Sequence, residues 1–250
     1  MAAVAVLLGV AACGEPTAPA EESATPGVAD PATYVSPPAV TTARPEGGAL
    51  RLEGTAPSAA VVRLAAPGGV ALSVTAGKDG RWALTLPAAS AAQIWGLSMT
   101  VDGRRVQAQG YLLTTPKGQA AMRRAGAGAI RLDPQPAGAI GAVDFDRDGG
   151  AVVSGRAPAG AVVLIRLDGR GAAEGRADAT GRFEISFDHP GVGSHRLQLF
   201  GDGFQDATVV ATAAAQPLAG RPLRSQLTSG GLRCDWTTPG GGLQSTVIVD

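Results

Sequence analysis

The run Asp144-Phe145-Asp146-Arg147-Asp148-Gly149 sets three carboxylates at alternate positions ahead of a glycine turn. That is the spacing with which a loop surrounds an oxygen-seeking cation, so Asp144, Asp146 and Asp148 are candidate calcium ligands. The twelfth position of such a loop should carry a bidentate Glu, but Gly155 stands there, and Val152 at the ninth already belongs to an apolar alternation. The stronger expectation is a solvated strand end running into a Gly-Gly turn, with calcium as the minority reading. His189 and His195 are the two histidines, six apart across a Pro-Gly-Val-Gly-Ser turn. A hairpin would bring both imidazoles together, but no second Cys or converging carboxylate accompanies them to complete a zinc set. A packing or surface position is therefore expected for each. Cys234 has Arg233 beside it but no neighbouring His or Lys to lower its pKa, which points to a small buried apolar residue.

Nucleophilic and phosphate-binding signatures are missing. Ser154, Ser186, Ser194, Ser225 and Ser229 lack the G-x-S-x-G context of a nucleophile elbow, and Gly240-Gly241-Gly242 lacks the Lys-Ser/Thr that completes a phosphate loop. The expectation is a chain that is not an enzyme. A metal-dependent enzyme would need the Asp cluster and the two histidines to meet.

The elements that position these residues are two copies of one unit. Gly54-Thr55-Ala56-Pro57 with Val61-Val62-Arg63-Leu64 recurs as Gly155-Arg156-Ala157-Pro158 with Val162-Val163-Leu164-Ile165, 101 positions on. Gly80-Arg81-Trp82-Ala83-Leu84 recurs as Gly181-Arg182-Phe183-Glu184-Ile185 at the same offset, and Leu97, Met99, Asp102 and Gly103 recur at an offset of 100. Within each copy, short runs of alternating apolar residues are separated by Gly, Pro or Asp, which predicts strands with one buried face. Trp82, Leu84 and Leu86, like Phe183, Ile185 and Phe187, should point inward. Tight turns leave no room for crossover helices, so the sheets should be antiparallel.

The pattern G-x-A-P-x-x-A-V-V followed by G-R-aromatic-x-aliphatic resembles the bacterial immunoglobulin-like (Ig-like) domains of surface and exported proteins. It is also similar to the strand start of carboxypeptidase regulatory-like domains, another small β-sandwich. The resemblance implies a spacer, adhesion or recognition role and carries no catalytic residue.

Ahead of the repeats, the apolar run Ala2–Ala12 has the length of a signal h-region and is too short to span a bilayer. No Lys or Arg precedes it. Val10-Ala11-Ala12-Cys13-Gly14 resembles the lipobox of bacterial lipoproteins. That resemblance implies cleavage before Cys13, acylation of its thiol and attachment to a membrane. Gly14 rather than Asp after the Cys resembles the pattern sent to the outer membrane. Residues 14–48 hold seven prolines among Ala, Glu, Ser and Thr, too little apolar surface to offset the entropy of ordering, so a disordered tether is expected.

With 21 basic and 21 acidic residues the net charge is zero, which gives no basic face for a nucleic-acid partner. One cysteine besides Cys13 rules out an internal disulfide after the tether. Domains of this size bury only about 60% of their unfolded-chain surface, so flanking segments should help stabilise them. Residues 118–132 are expected to supply a short helix around Ala120–Arg124. Leu232, Cys234 and Trp236, a Thr-Thr-Pro-Gly turn and Leu243–Val249 predict a terminal β-hairpin.

The sequence thus predicts an all-β chain: signal peptide 1–12, disordered tether 13–47, Ig-like repeats 48–113 and 141–213, a linker 114–140 between them, and a linker with β-hairpin over 214–250. The expected function is a membrane-anchored spacer or binding module for a protein or cell-wall glycan partner, at the cell envelope, on the outer membrane facing the periplasm or exterior. No small-molecule cofactor is expected besides the calcium alternative. An accessory subunit of an envelope secretion or assembly complex is the second reading, with Trp236 as its candidate docking residue.

Overall fold

The computed structural model describes residues 34–146, 150–188 and 190–250. Cys13, Asp148 and His189 lie outside them, as does the lipobox segment. Every regular element among the described residues is a β-strand, and every strand pairing is antiparallel.

The first sandwich uses β1 (Ala39–Glu46), β2 (Ala49–Thr55), β3 (Val61–Ala65), β4 (Ala71–Thr75), β5 (Arg81–Leu86), β6 (Gln93–Val101) and β7 (Arg104–Thr114). β8 (Ala120–Arg123) and β9 (Ile130–Arg131) follow. The second sandwich uses β10 (Ala139–Asp146), β11 (Gly150–Arg156), β12 (Val162–Leu167), β13 (Arg170–Arg176), β14 (Arg182–Asp188), β15 (Ser194–Gly201) and β16 (Phe204–Ala211). The chain ends with β17 (Leu223–Thr228), β18 (Gly231–Thr237) and β19 (Leu243–Val249).

Both copies build the same pair of sheets. β1-β2-β5 faces β4-β3-β6-β7 in the first, and β10-β11-β14 faces β13-β12-β15-β16 in the second. This is the layered Ig-like architecture, three strands against four. The inward residues are those the alternation predicted: Trp82 and Leu86, Leu97 and Met99 in one core, Phe183, Ile185, Phe187, Leu197 and Leu199 in the other.

The two sheets are then extended on opposite sides. β8 and β9 continue the four-stranded sheet of the first sandwich past β7, while β19, β18 and β17 continue the three-stranded sheet of the second past β10. The terminal hairpin is present as β18 and β19, but it is built into a six-stranded sheet rather than standing apart. These additions also fill the cores. Ala120 and Leu132 join the first, and Val247 and Val249 join the second.

Two expectations fail, for one reason. The segment assigned to the tether contains β1, and the expected helix around Ala120–Arg124 is strand β8. In each case a partner strand decides. Thr42 through Glu46 pair with Glu53 through Ala49, burying Val40 and Ala43, and the edge position of β1 tolerates Pro45, which has no N–H to donate. Residues Ala120–Arg123 pair with Thr114–Tyr111 of the long strand β7, which overrides the helix preference of alanine. A four-residue helix without such pairing would not be stable in any case.

The repeated glycines have two distinct jobs. Gly80 and Gly181 take φ of 75° and 77° in the turns before β5 and β14, where a Cβ would be strained. Gly54 and Gly155 let backbones approach: a Cβ on either would lie 2.1 Å from the carbonyl oxygen of Ala39 or Ala139. It would also meet the ring of Trp82 at 2.3 Å or of Phe183 at 2.7 Å. A bulge in the opposing strand accompanies each, between Val40 and Thr42 and between Ile140 and Ala142. Neither the carbonyl nor the packed ring has room to yield. Gly155→Ala and Gly54→Ala should therefore each lower stability by roughly 1–3 kcal/mol, as overpacked cores do, measured by urea unfolding. Gly103→Ala, with nothing within 4 Å of its Cβ but φ of 73°, should show only the smaller backbone cost.

Candidate functional site

Of the residues singled out for chemistry, Asp144, Cys234 and Trp236 meet at the junction between the sandwiches. The junction has its own apolar cluster, in which Leu113 and Ala121 from the first side meet Ala142, Leu232, Cys234 and Ile248 from the second. Arg123 is sealed at its centre with no exposed surface. Its guanidinium carbon sits 4.4 Å from the ring centroid of Trp236, and Tyr111 meets the same indole edge-on at 5.7 Å. None of the three Arg123 side-chain nitrogens has a hydrogen-bond partner. Burial lowers its pKa to about 10, opposed by the negative charge of Asp144 foremost.

Asp144 is accordingly a structural residue. Its Oδ2 accepts from Ala129 N at 2.6 Å, and its Oδ1 accepts from Gln244 Nε2 at 3.3 Å and from the Thr246 hydroxyl. It is 2% exposed, and burial pushes its pKa up against the pull of Arg123 and these donors. The carboxylate faces across the sheet to β19 and toward the β8–β9 connection, not outward to a loop ion. Asp146 lies at the strand end and accepts from Gly150 N at 3.0 Å. Among the described residues no group of three or more His, Cys, Asp or Glu side chains comes together to hold a metal.

Trp236 is fully buried and so is not a docking residue for a partner, correcting the expectation drawn from its place in the hairpin. Cys234 is buried beside it as expected, with a thiol pushed up to about 12 by burial. His195 Nδ1 lies 2.8 Å from Asp168 Oδ2, an ordinary strand-to-turn contact.

Polar side chains on this face clamp the connection Arg124–Ala129 to the second sandwich. Gly128 N donates to Glu184 at 2.8 Å, and the Ser154 hydroxyl donates to Ala129 O. Arg131 makes a two-point pair with Asp133 and donates to the carbonyls of Gly141 and Val249 at 3.1 and 2.8 Å, tying β9 to β10 and β19. Arg233 pairs with Asp235 at 2.8 Å and stacks 5.1 Å from Phe145. The sequence reading missed Arg123 because its role depends on a tryptophan more than a hundred positions away. The one local signal was Asp144 alternating with Val143 and Phe145, a polar face on a strand covered on both sides.

The asymmetry of the pair sets a double-mutant cycle. Asp144→Asn removes the charge facing Arg123 but also relieves a carboxylate that burial disfavours, so at neutral pH it should cost less than about 1 kcal/mol. Arg123→Met deletes the cation and its three unpartnered donors and leaves the Asp144 charge buried without it, so in that background Asp144→Asn should be stabilising. The pH dependence follows from the raised pKa of Asp144. The folded state holds this proton more tightly than the unfolded state, so the contribution of Asp144 to stability is greatest below the ordinary value of 3.8 and is lost as pH rises through the raised pKa. Urea unfolding across that window should show this slope, and Asp144→Asn should flatten it. Cys234 should resist iodoacetamide in the native protein and react at once in denaturant.

No protein-family model and no curated protein matches the chain. Solved structures do. One, described as structural insight into host cell surface retention of a bacterial ice-binding adhesin, is 13% identical over 69% of this chain, with a TM-score of 0.23. The chain spans about three-fifths (61%) of that one. A second, a Ca2+-stabilized adhesin that helps an Antarctic bacterium reach out and bind ice, is 11% identical over 80% of this chain and 86% of its own, with a TM-score of 0.22. A third, the central fibronectin-III array of RIM-binding protein, is 11% identical over 86% of this chain and 89% of its own, with a TM-score of 0.25. Likeness at that level leaves the fold resting on the chain's own strand order.

Proposed function

We propose that this chain is a non-catalytic lipoprotein of the cell envelope that presents two fused Ig-like sandwiches as a spacer and binding module. The observation that carries this reading is the junction core. Strands added to each sandwich enclose Arg123 jointly, so the two domains support one another and transmit force or position as one piece. Asp144, Cys234 and Trp236 are spent on that enclosure, which favours a mechanical or presenting role over a reaction centre. The anchor is assigned to the Cys13 thiol by the lipobox resemblance, at the outer membrane, with a protein or a cell-wall glycan as the partner class. The alternative of an accessory subunit docking through Trp236 loses its docking residue to the junction.

Fractionation of expressing cells tests the anchor. The wild-type chain should pellet with membranes and carry acylation on residue 13 by mass spectrometry, while Cys13→Ala should move to the soluble fraction with unchanged melting temperature. An unmodified wild-type chain recovered from cytosol with Met1 in place would overturn it.

A further inference from the structure

A groove of about 370 Å³ lies beside the β8–β9 connection, along the ends of β11 and β14. Arg156 closes β11, Arg176 closes β13 and Arg182 opens β14, so three strand ends bring three guanidinium groups to one opening. Arg156 donates to Thr180 O at 2.9 Å and Arg176 donates to Gly160 O, leaving further donors on each. The Nε of Arg182 is shut away from solvent with no partner at all. None of the three makes an ion pair among the described residues.

Two carboxylates also line the groove, each hydrogen-bonded within the protein. Asp178 accepts from the Thr180 N–H and hydroxyl and from Arg182 N. Glu184 accepts from Gly128 N and lies 3.7 Å from Arg124. Burial, and then the like charge of Arg156, hold the Arg182 pKa below its ordinary value. Five arginines, Arg124, Arg131, Arg156, Arg176 and Arg182, line the groove against the two carboxylates of Asp178 and Glu184, so its charge is positive in balance.

The duplication shows that the fold does not require this. In the first sandwich the positions equivalent to Arg156, Arg176 and Asp178 are Thr55, Thr75 and Gly77; of the three arginines only Arg182 has a counterpart, Arg81. The matching crevice there also carries Glu53 where the second copy has Ser154. On the same scaffold, the first crevice carries one Glu and one Arg and so no net charge.

We infer that the groove of the second sandwich binds an oxyanion, the phosphate or carboxylate group of an acidic sugar, held by Arg156, Arg176 and Arg182. Planar guanidinium groups match such oxyanions with paired donors, and their charge is the strongest where water is partly excluded. A sugar fits better than a lipid headgroup because none of the large apolar side chains exposed on the protein lines this groove, so there is no surface on which a bilayer would rest. The inference deepens the proposed binding role by assigning ligand chemistry to it.

Calorimetric titration of the soluble Cys13→Ala chain at low ionic strength tests it, with inorganic phosphate and oligogalacturonate as separate probes. At least one should bind, with affinity falling as salt rises. Arg156→Gln with Arg182→Gln should weaken that binding tenfold or more, while Arg81→Gln leaves it unchanged. Arg182→Gln alone should keep or raise the melting temperature, since it deletes a repelled and desolvated charge, so lost binding is separable from lost folding. Binding of phosphate alone assigns a phosphorylated sugar, and binding of galacturonate assigns a uronic acid. Three results would overturn the inference: no binding of either probe, equal loss in Arg81→Gln, or binding only to phosphatidylglycerol vesicles. None of them depends on acylation, so the anchor and the groove stand or fall separately.

Discussion

A guanidinium removed from water and given no hydrogen bond is costly to bury, and the junction is arranged so that Arg123 is nonetheless enclosed. What compensates it comes from three separate places in the chain: the indole of Trp236 on β18, the charge of Asp144 on β10, and the backbone pairing of β8 with β7 that holds the side chain in place. A cation over an aromatic face gains most where water is excluded. The charge is tolerable only when the linker and the C-terminal strands have both arrived, so the junction forms as a unit or not at all. A water-exposed lysine at this place would have left the sandwiches free to swing. The sealed arginine instead makes separation expensive, because parting the domains would strip its aromatic face and its counter-charge together.

The duplication explains how such a junction arises. The sandwiches repeat one another down to the glycines at 54 and 155 and the bulge opposite each, features dictated by the approach of backbone to backbone. What differs is which sheet continues. β7 runs eleven residues, and its far end pairs with β8, while β10 offers its free side to β19. The linker and C-terminal strands thereby cover the β7 and β10 edges and move the ends of those sheets to the two-residue β9 and to β17.

How much of this was legible follows from the range of each interaction. Alternation along β5 and β14 reported the buried faces because a strand's side-chain period is two, whatever it packs on. The repeat offset reported the architecture, since equal spacing of glycine and aromatic positions demands equal turns. The hairpin of β18 and β19 was readable from its turn chemistry. By contrast, β1 and β8 are poor in branched apolar residues and become strands only because Ala49–Thr55 and Tyr111–Thr114 offer them partners. The Asp144 carboxylate looked like an ion ligand because spacing along a chain does not say which side of a sheet is covered. Its donors, Ala129, Gln244 and Thr246, come from segments up to 102 positions away.

Duplication also separates duties that one domain would have to combine. In the first sandwich, the sheet end around Gly54 keeps Thr55, Thr75 and a single arginine, and the packing of Trp82 against that glycine is its whole content. In the second, the same end lies against the β8–β9 connection, which Asp144, Ser154 and Glu184 hold down by accepting its N–H groups and capping a carbonyl. The connection walls off one side of the opening and consumes the nearby carboxylate of Glu184. Arginines gathered at that end still exceed the carboxylates beside them, with Glu184 facing Arg124 and Asp178 facing Arg182. The connection that fuses the sandwiches thus also forms one wall of a groove whose arginines outnumber its carboxylates.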